Sequence, residues 1–130
     1  MAILATVFIG ITALLHVYIF VMESIQWRTP AIWKRFGLTS QADADTTAPL
    51  AYNQGFYNLF LAIGAAVGLV LYYSPANEAG FALAAFASAS IVAAALVLLS
   101  TGRERLRAAA LQGVPALFGL VFLLIAGVHP

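Results

Sequence analysis

Apolar residues run through this chain in four long blocks separated by polar interruptions. The blocks extend from about Ile3 to Ile25, from Leu50 to Tyr73, from Ala79 to Ser100 and from Ala108 to Val128. Each reaches the roughly 20 mainly apolar residues that a helix needs to cross ~30 Å of hydrocarbon. In lipid the backbone must satisfy its own hydrogen bonds, so such runs predict helices. A membrane barrel would need short alternating strands, and none is visible. The expected fold is an all-α integral membrane four-helix bundle, a single transmembrane domain over residues 1–130 with a long loop at 26–49. The first block does not read as a signal peptide. No Lys or Arg precedes it, and it runs into a Trp-rich basic segment without a convincing cleavage site.

Composition points the same way. Hydrophobic residues make up 63% of the chain and charged residues 8%, and the mean hydropathy is +0.97. A globular domain is about half apolar and about a quarter charged. Six Lys+Arg and five Asp+Glu are too few to coat a water-soluble surface. The absence of cysteine removes a disulfide scaffold and a zinc ribbon. A net charge of +1 gives nucleic-acid binding no support.

Charge placement predicts orientation. Arg28, Lys34 and Arg35 lie in the first loop and Arg103, Arg105 and Arg107 in the third, with no base in the second loop or the tails. Positive loops stay in the cytoplasm, so loops one and three are expected there and both termini outside. Trp27, Trp33 and Phe36 would mark the cytoplasmic interface, and Tyr72 and Tyr73 the outer one. The stretch Ile32–Phe36 reads either as a segment lying along the inner surface or as an ordinary polar loop. Thr39-Ser40-Gln41-Ala42-Asp43 is a helix-start signal, predicting a short cytoplasmic helix ahead of the second span.

Chemistry concentrates on the first two spans. On a wheel of 3.6 residues per turn, Thr12, Glu23 and Trp27 fall within about 40° of His16. The second span opens with Asn53-Gln54-Gly55-Phe56-Tyr57-Asn58, whose polar members cover an arc of about 140°. The same face continues through Gly64 and Gly68, a small-xxx-small contact that admits another helix closely. Depth, counted from a second-span start at Leu50, sets Glu23 opposite Asn53 and Gln54, and His16 opposite Asn58 or Tyr57. On the fourth span Gln112 joins this layer, and Pro115, which cannot donate to the carbonyl of Leu111, predicts a kink. The alanine-rich third span, with Ser88 and Ser90, reads as a close-packing strut. A weak internal echo pairs Gln54-Gly55 and Leu59-Phe60 with Gln112-Gly113 and Leu117-Phe118 at equal spacing.

Glu23, Trp27 and Pro30, then Phe36-Gly37-Leu38, then Asn53-Gln54-Gly55-Phe56-Tyr57-Asn58 with Gly64, and last Gln112-Gly113 with Pro115 form a combination that covers nearly the whole chain. It resembles the small bacterial membrane proteins of domain-of-unknown-function family 1304. The resemblance implies four transmembrane helices in a bacterial inner membrane. It implies no activity and brings no catalytic residue.

The residues expected to line a polar intramembrane pocket near the cytoplasmic side are His16, Glu23, Trp27, Asn53, Gln54, Tyr57, Asn58 and Gln112. Against this stands a plainer reading. Glu23 would snorkel or pair with Arg28 or a third-loop arginine, and the amides would serve as interhelical glue. The leading expectation is binding or transport of a small polar or amphipathic molecule, with Glu23 supplying charge or proton coupling. The alternatives are a membrane-embedded enzyme using His16 and Glu23 on a lipid or isoprenoid, and a structural or assembly subunit. No cofactor is expected, and no metal, because two distant histidines and one well-placed acid do not make a ligand set. The expected partners are membrane lipid, a small-molecule ligand, and a second copy packed through small residues of the third and fourth spans.

Overall fold

The computed structural model describes residues 1–130. Helix α1 (Ala2–Phe20) passes directly into a single π-helical turn, Val21–Ile25. A short α2 (Pro30–Trp33) and a 3-10 turn (Lys34–Phe36) follow. Then come α3 (Gln41–Tyr72), α4 (Asn77–Ser100), a 3-10 turn (Arg103–Arg105) and α5 (Leu106–Ala126). Four helical stretches are long and apolar enough to cross a membrane: Ala2–Ile25, Gln41–Tyr72, Asn77–Ser100 and Arg103–Ala126. Only 22–33% of the most apolar 18-residue window in each is buried within the protein. Leu14, Val70 and Phe86 are among many large apolar side chains left open. In water such a surface would be an aggregation liability. Facing lipid tails, which are as apolar as leucine, it is the ordinary condition of a multi-pass membrane protein.

The second span starts nine residues before the expected Leu50. Ser40 explains the difference. Its Oγ accepts from the Asp43 backbone N–H at 3.1 Å and donates to the Asp43 carboxylate at 2.7 Å, which caps the helix at its first turn. The hydroxyls of Thr46 and Thr47 donate to the carbonyls of Ala42 and Asp43. The start signal therefore opens α3 itself rather than a separate short helix. Pro49 lies inside α3 without ending it. At 32 residues the helix is about 48 Å long, against ~30 Å of hydrocarbon, so its polar first turns extend beyond the bilayer core.

The chain divides into two compact units, Met1–Leu15 with Leu61–Pro130, and His16–Phe60. The first is a four-helix bundle whose core sets a few large side chains among alanines. Ala5 and Ile9 of α1, Ala65 and Tyr72 of α3, Ala84 and Ala87 of α4 and Leu123 of α5 pack into one cluster. Gly68 lies so close to α4 that an added Cβ would meet the Ala84 backbone nitrogen at 2.6 Å, whereas Gly64 has only ordinary contact with Ala87 at 3.8 Å. The expected pair of small residues thus reduces to one tight position. Phe8 packs on Phe118 and Phe122. Tyr72 corrects its assignment as an interfacial marker. It is fully buried, and its hydroxyl donates to the Gly127 carbonyl at 2.8 Å. Tyr73 is half exposed and its hydroxyl meets Thr6 Oγ1 at 2.8 Å. Asn77 Nδ2 lies 2.9 Å from His129 Nδ1, tying the C-terminal end to the turn between α3 and α4.

The second unit orders what reads in sequence as a long loop. Trp33 is buried rather than interfacial, and its indole donates to Gln41 Oε1 at 3.2 Å. Trp27 donates to the Ala44 carbonyl at 3.0 Å and meets Phe36 edge-on at 4.8 Å. Arg35 donates to the Tyr18 hydroxyl at 3.0 Å, which returns the segment to α1. Gly37, at φ 82°, closes the 3-10 turn. Its N–H donates to Lys34 and that of Leu38 to Trp33, a paired helix stop that favours glycine in the left-handed region. The alternation Ile32 and Trp33 buried, Lys34 and Arg35 exposed gives this stretch one apolar and one basic side.

Candidate functional site

The π turn positions the chemistry. Its closing bond runs from Gln26 N–H to the Val21 carbonyl at 2.9 Å, taking one more residue than an α turn. Two consecutive side chains of this turn reach α3. Glu23 Oε2 accepts from Asn58 Nδ2 at 2.8 Å, and Ser24 Oγ donates to the Tyr52 carbonyl at 2.9 Å. Gly55 permits the approach. A Cβ there would run into Ser24 Oγ and would lie 3.1 Å from Glu23 Cβ. The glycine of the Asn53–Asn58 element is therefore a packing requirement of the acid's own turn.

Glu23 is only 9% exposed and does not snorkel. Nor does it pair with Arg28, whose Nε lies 3.3 Å from Asp45 Oδ1 at an exposed position. An exposed pair of that kind contributes about 0–1 kcal/mol. Asn58 is buried as well and spends a second contact on the Gln54 carbonyl at 3.1 Å. The partner of Glu23 is thus Asn58 and not Asn53 or Gln54. The expected register fails because it takes the two helices to end at one level, whereas α3 runs on past the end of the π turn and its first turns meet Trp27 and Arg28 through Ala44 and Asp45.

Beside the acid lies a cavity of about 310 Å³ bordered by Glu23, Ser24, Trp27, Arg28, Pro49 and Tyr52. It combines a carboxylate at the wall, a guanidinium, a hydroxyl and two aromatic rings. Of the expected lining, Glu23 and Trp27 border this space. Asn58 stands behind Glu23 as its hydrogen-bond donor. Asn53, Gln54 and Tyr57 are exposed on other sides of α3. His16 is buried on α1 in the same unit, and Gln112, half-buried, belongs to α5 in the other unit. Ser24 and Tyr52 border the cavity without a sequence signal, and Arg28 enters as part of its wall rather than as the partner of Glu23. The signal that would have found the packed face of α3 is the stripe Ala51, Gly55, Asn58, Ala62 and Ala65, all buried. Its spacing of four and three residues marks one helical face, and Asn58 is the one polar member.

The echo between the halves acquires a spatial counterpart. Gly55 faces Ser24 on the π turn that continues α1, and Gly113 faces Ala95 on α4. Each glycine sets the close approach within its own hairpin.

No curated protein and no solved structure gives a match to this chain. The family described as protein of unknown function (DUF1304) matches residues 10–124. That span takes in α1 from Gly10 onward, the ordered loop, the π turn, the glycine-centred element of α3 and nearly all of α5, and the chain accordingly belongs to the DUF1304 family.

Proposed function

We propose that this protein binds a small polar or amphipathic molecule in the cavity beside Glu23, with the cavity open toward the cytoplasmic side of a bacterial inner membrane. The observation that carries this reading is a carboxylate held at the wall of a 310 Å³ space by a single amide donor. Ionisable groups within membrane spans are costly, and they face interiors or cavities and mark ligand or ion pathways. Trp27, Pro49 and Tyr52 offer an apolar and aromatic body to the occupant, while Glu23 and Ser24 offer polar contacts that fix its orientation.

The test is native mass spectrometry of protein extracted gently from its membrane. The wild type is expected to carry a reproducible non-lipid adduct that Glu23→Gln lacks. Glutamine keeps an oxygen to accept from Asn58 and removes only the charge. An adduct that survives Glu23→Gln unchanged, or no adduct on either protein, would refute the proposal.

The orientation that accompanies this reading places loops one and three in the cytoplasm. The chain has no cysteine, so any introduced thiol is the sole one. Ala76→Cys is expected to react with a membrane-impermeant maleimide added outside intact cells, and Thr101→Cys only after the membrane is opened. The reverse pattern would invert the topology.

A further inference from the structure

The faces of α4 and α5 form a groove of about 230 Å³ with no polar side chain in its lining. Its floor is made of small residues. Gly113 approaches Ala95 closely enough that an added Cβ would lie 2.7 Å from the alanine methyl. Its walls are tall, with Leu96 and Leu99 on α4 and Leu106, Val114 and Leu117 on α5. From Leu106 to Leu117 the groove follows α5 for about 16 Å. That is half of the ~30 Å hydrocarbon core, the depth of one leaflet.

Charge is gathered at one end of this groove. Leu106, a wall residue, lies between Arg105 and Arg107, with Arg103 two residues before Arg105, and all three arginines are exposed. Glu104 is the only acid among them, and its Oε1 lies 3.7 Å from Arg105 Nε. From Gly102 to the end of the chain there is no other carboxylate side chain. An apolar channel one leaflet deep thus ends at a group of arginines carrying excess positive charge. Basic pockets at the cytoplasmic ends of membrane helices suit anionic headgroups, and guanidinium matches phosphate geometry.

We propose that the α4–α5 groove and the Arg103–Arg107 turn form a binding site for one anionic phospholipid, its acyl chain along the groove and its phosphate on the arginines. The site is separate from the Glu23 cavity and does not depend on it.

The experiment titrates detergent-purified protein with phosphatidylglycerol, with phosphatidylcholine of the same acyl chains, and with the chain-free glycerophosphoglycerol, reading bound lipid by native mass spectrometry. Phosphatidylglycerol is expected to bind roughly tenfold or more tightly than phosphatidylcholine, since each basic residue near the surface contributes about 1 kcal/mol toward an anionic lipid. The chain-free headgroup is expected not to bind in the same range. Neutralising the turn in R103Q/R105Q/R107Q is expected to erase the preference, while neutralising the first loop in R28Q/K34Q/R35Q leaves it intact. Ala110→Trp, which fills the groove, is expected to weaken both lipids. Raising ionic strength should shrink the preference on the unaltered protein, a readout that no folding defect can imitate. Equal affinity for the two lipids, a preference that survives the third-loop neutralisation, or one that disappears with the first-loop neutralisation would each overturn the proposal.

Discussion

Replacing Gly68 with alanine is expected to destabilise the protein, whereas the same replacement at Gly10 is expected to stabilise it. Both glycines lie inside helices, where alanine is favoured over glycine by about 0.8–1 kcal/mol. At Gly10 nothing lies within 4 Å of the position a Cβ would take, so the helix gain stands alone. At Gly68 the new methyl would meet the Ala84 backbone nitrogen at 2.6 Å and its Cα at 2.9 Å. Backbone atoms of a packed helix cannot swing aside as a side chain does. The overpacking cost, about 1–3 kcal/mol, exceeds the helix gain, and the net effect changes sign. Gly68→Val enlarges the clash and is expected to abolish folded protein. Thermal unfolding in detergent reads the comparison. A midpoint that rises for both Gly→Ala variants would mean that α3 and α4 are not in contact at Gly68.

Asn58→Leu is expected to be the most damaging change in the second unit. It removes the donor to Glu23 Oε2 and leaves a buried carboxylate facing a hydrocarbon side chain. Hydrogen bonds to charged groups contribute about 1.5–3 kcal/mol, and leaving such a group unsatisfied carries the full desolvation penalty. The double variant E23L/N58L removes acid and donor together, and well-packed apolar replacements of buried polar pairs are often close to neutral. Most of the lost stability should therefore return in the double variant, while the adduct does not. This separates the two roles of the pair. If the polar contact served packing alone, the double variant would restore everything the protein does. If Asn58→Leu left stability unchanged, the hydrogen bond at 2.8 Å would not be the group that holds Glu23.

Much of this architecture is legible in the chain because bilayer thickness dictates helix length. Four apolar runs gave spans whose outer limits lie within two residues of α4 and α5. Hydropathy does not show the start of α3, because residues 41–49 mix polar side chains with alanine and a solvated helix then reads as a loop. The cap that starts it, Ser40 with Asp43, was nonetheless present in the sequence. The π turn has no periodic signature, since one inserted residue in a uniformly apolar run changes no pattern. Without it the wheel cannot show that Glu23 and Ser24 both reach α3. Among the polar residues of Asn53–Asn58, an arc of 140° is wider than the face one neighbouring helix can cover. Asn58 faces inward with the small stripe, and Asn53, Gln54 and Tyr57 do not. Tyr72 departs from the sequence expectation for a related reason. A tyrosine near a helix end has the composition of an interfacial residue whether its hydroxyl meets a headgroup or, as here, the Gly127 carbonyl.

The space beside Glu23 is proposed to hold a molecule. A crystal structure of the wild-type protein grown from a lipidic mesophase, without prior delipidation, tests it most directly. Continuous organic density is expected between Glu23, Trp27 and Tyr52, with a polar atom within hydrogen-bond distance of the Glu23 carboxylate. A space filled only by water, or closed by the Trp27 and Tyr52 side chains, would contradict it.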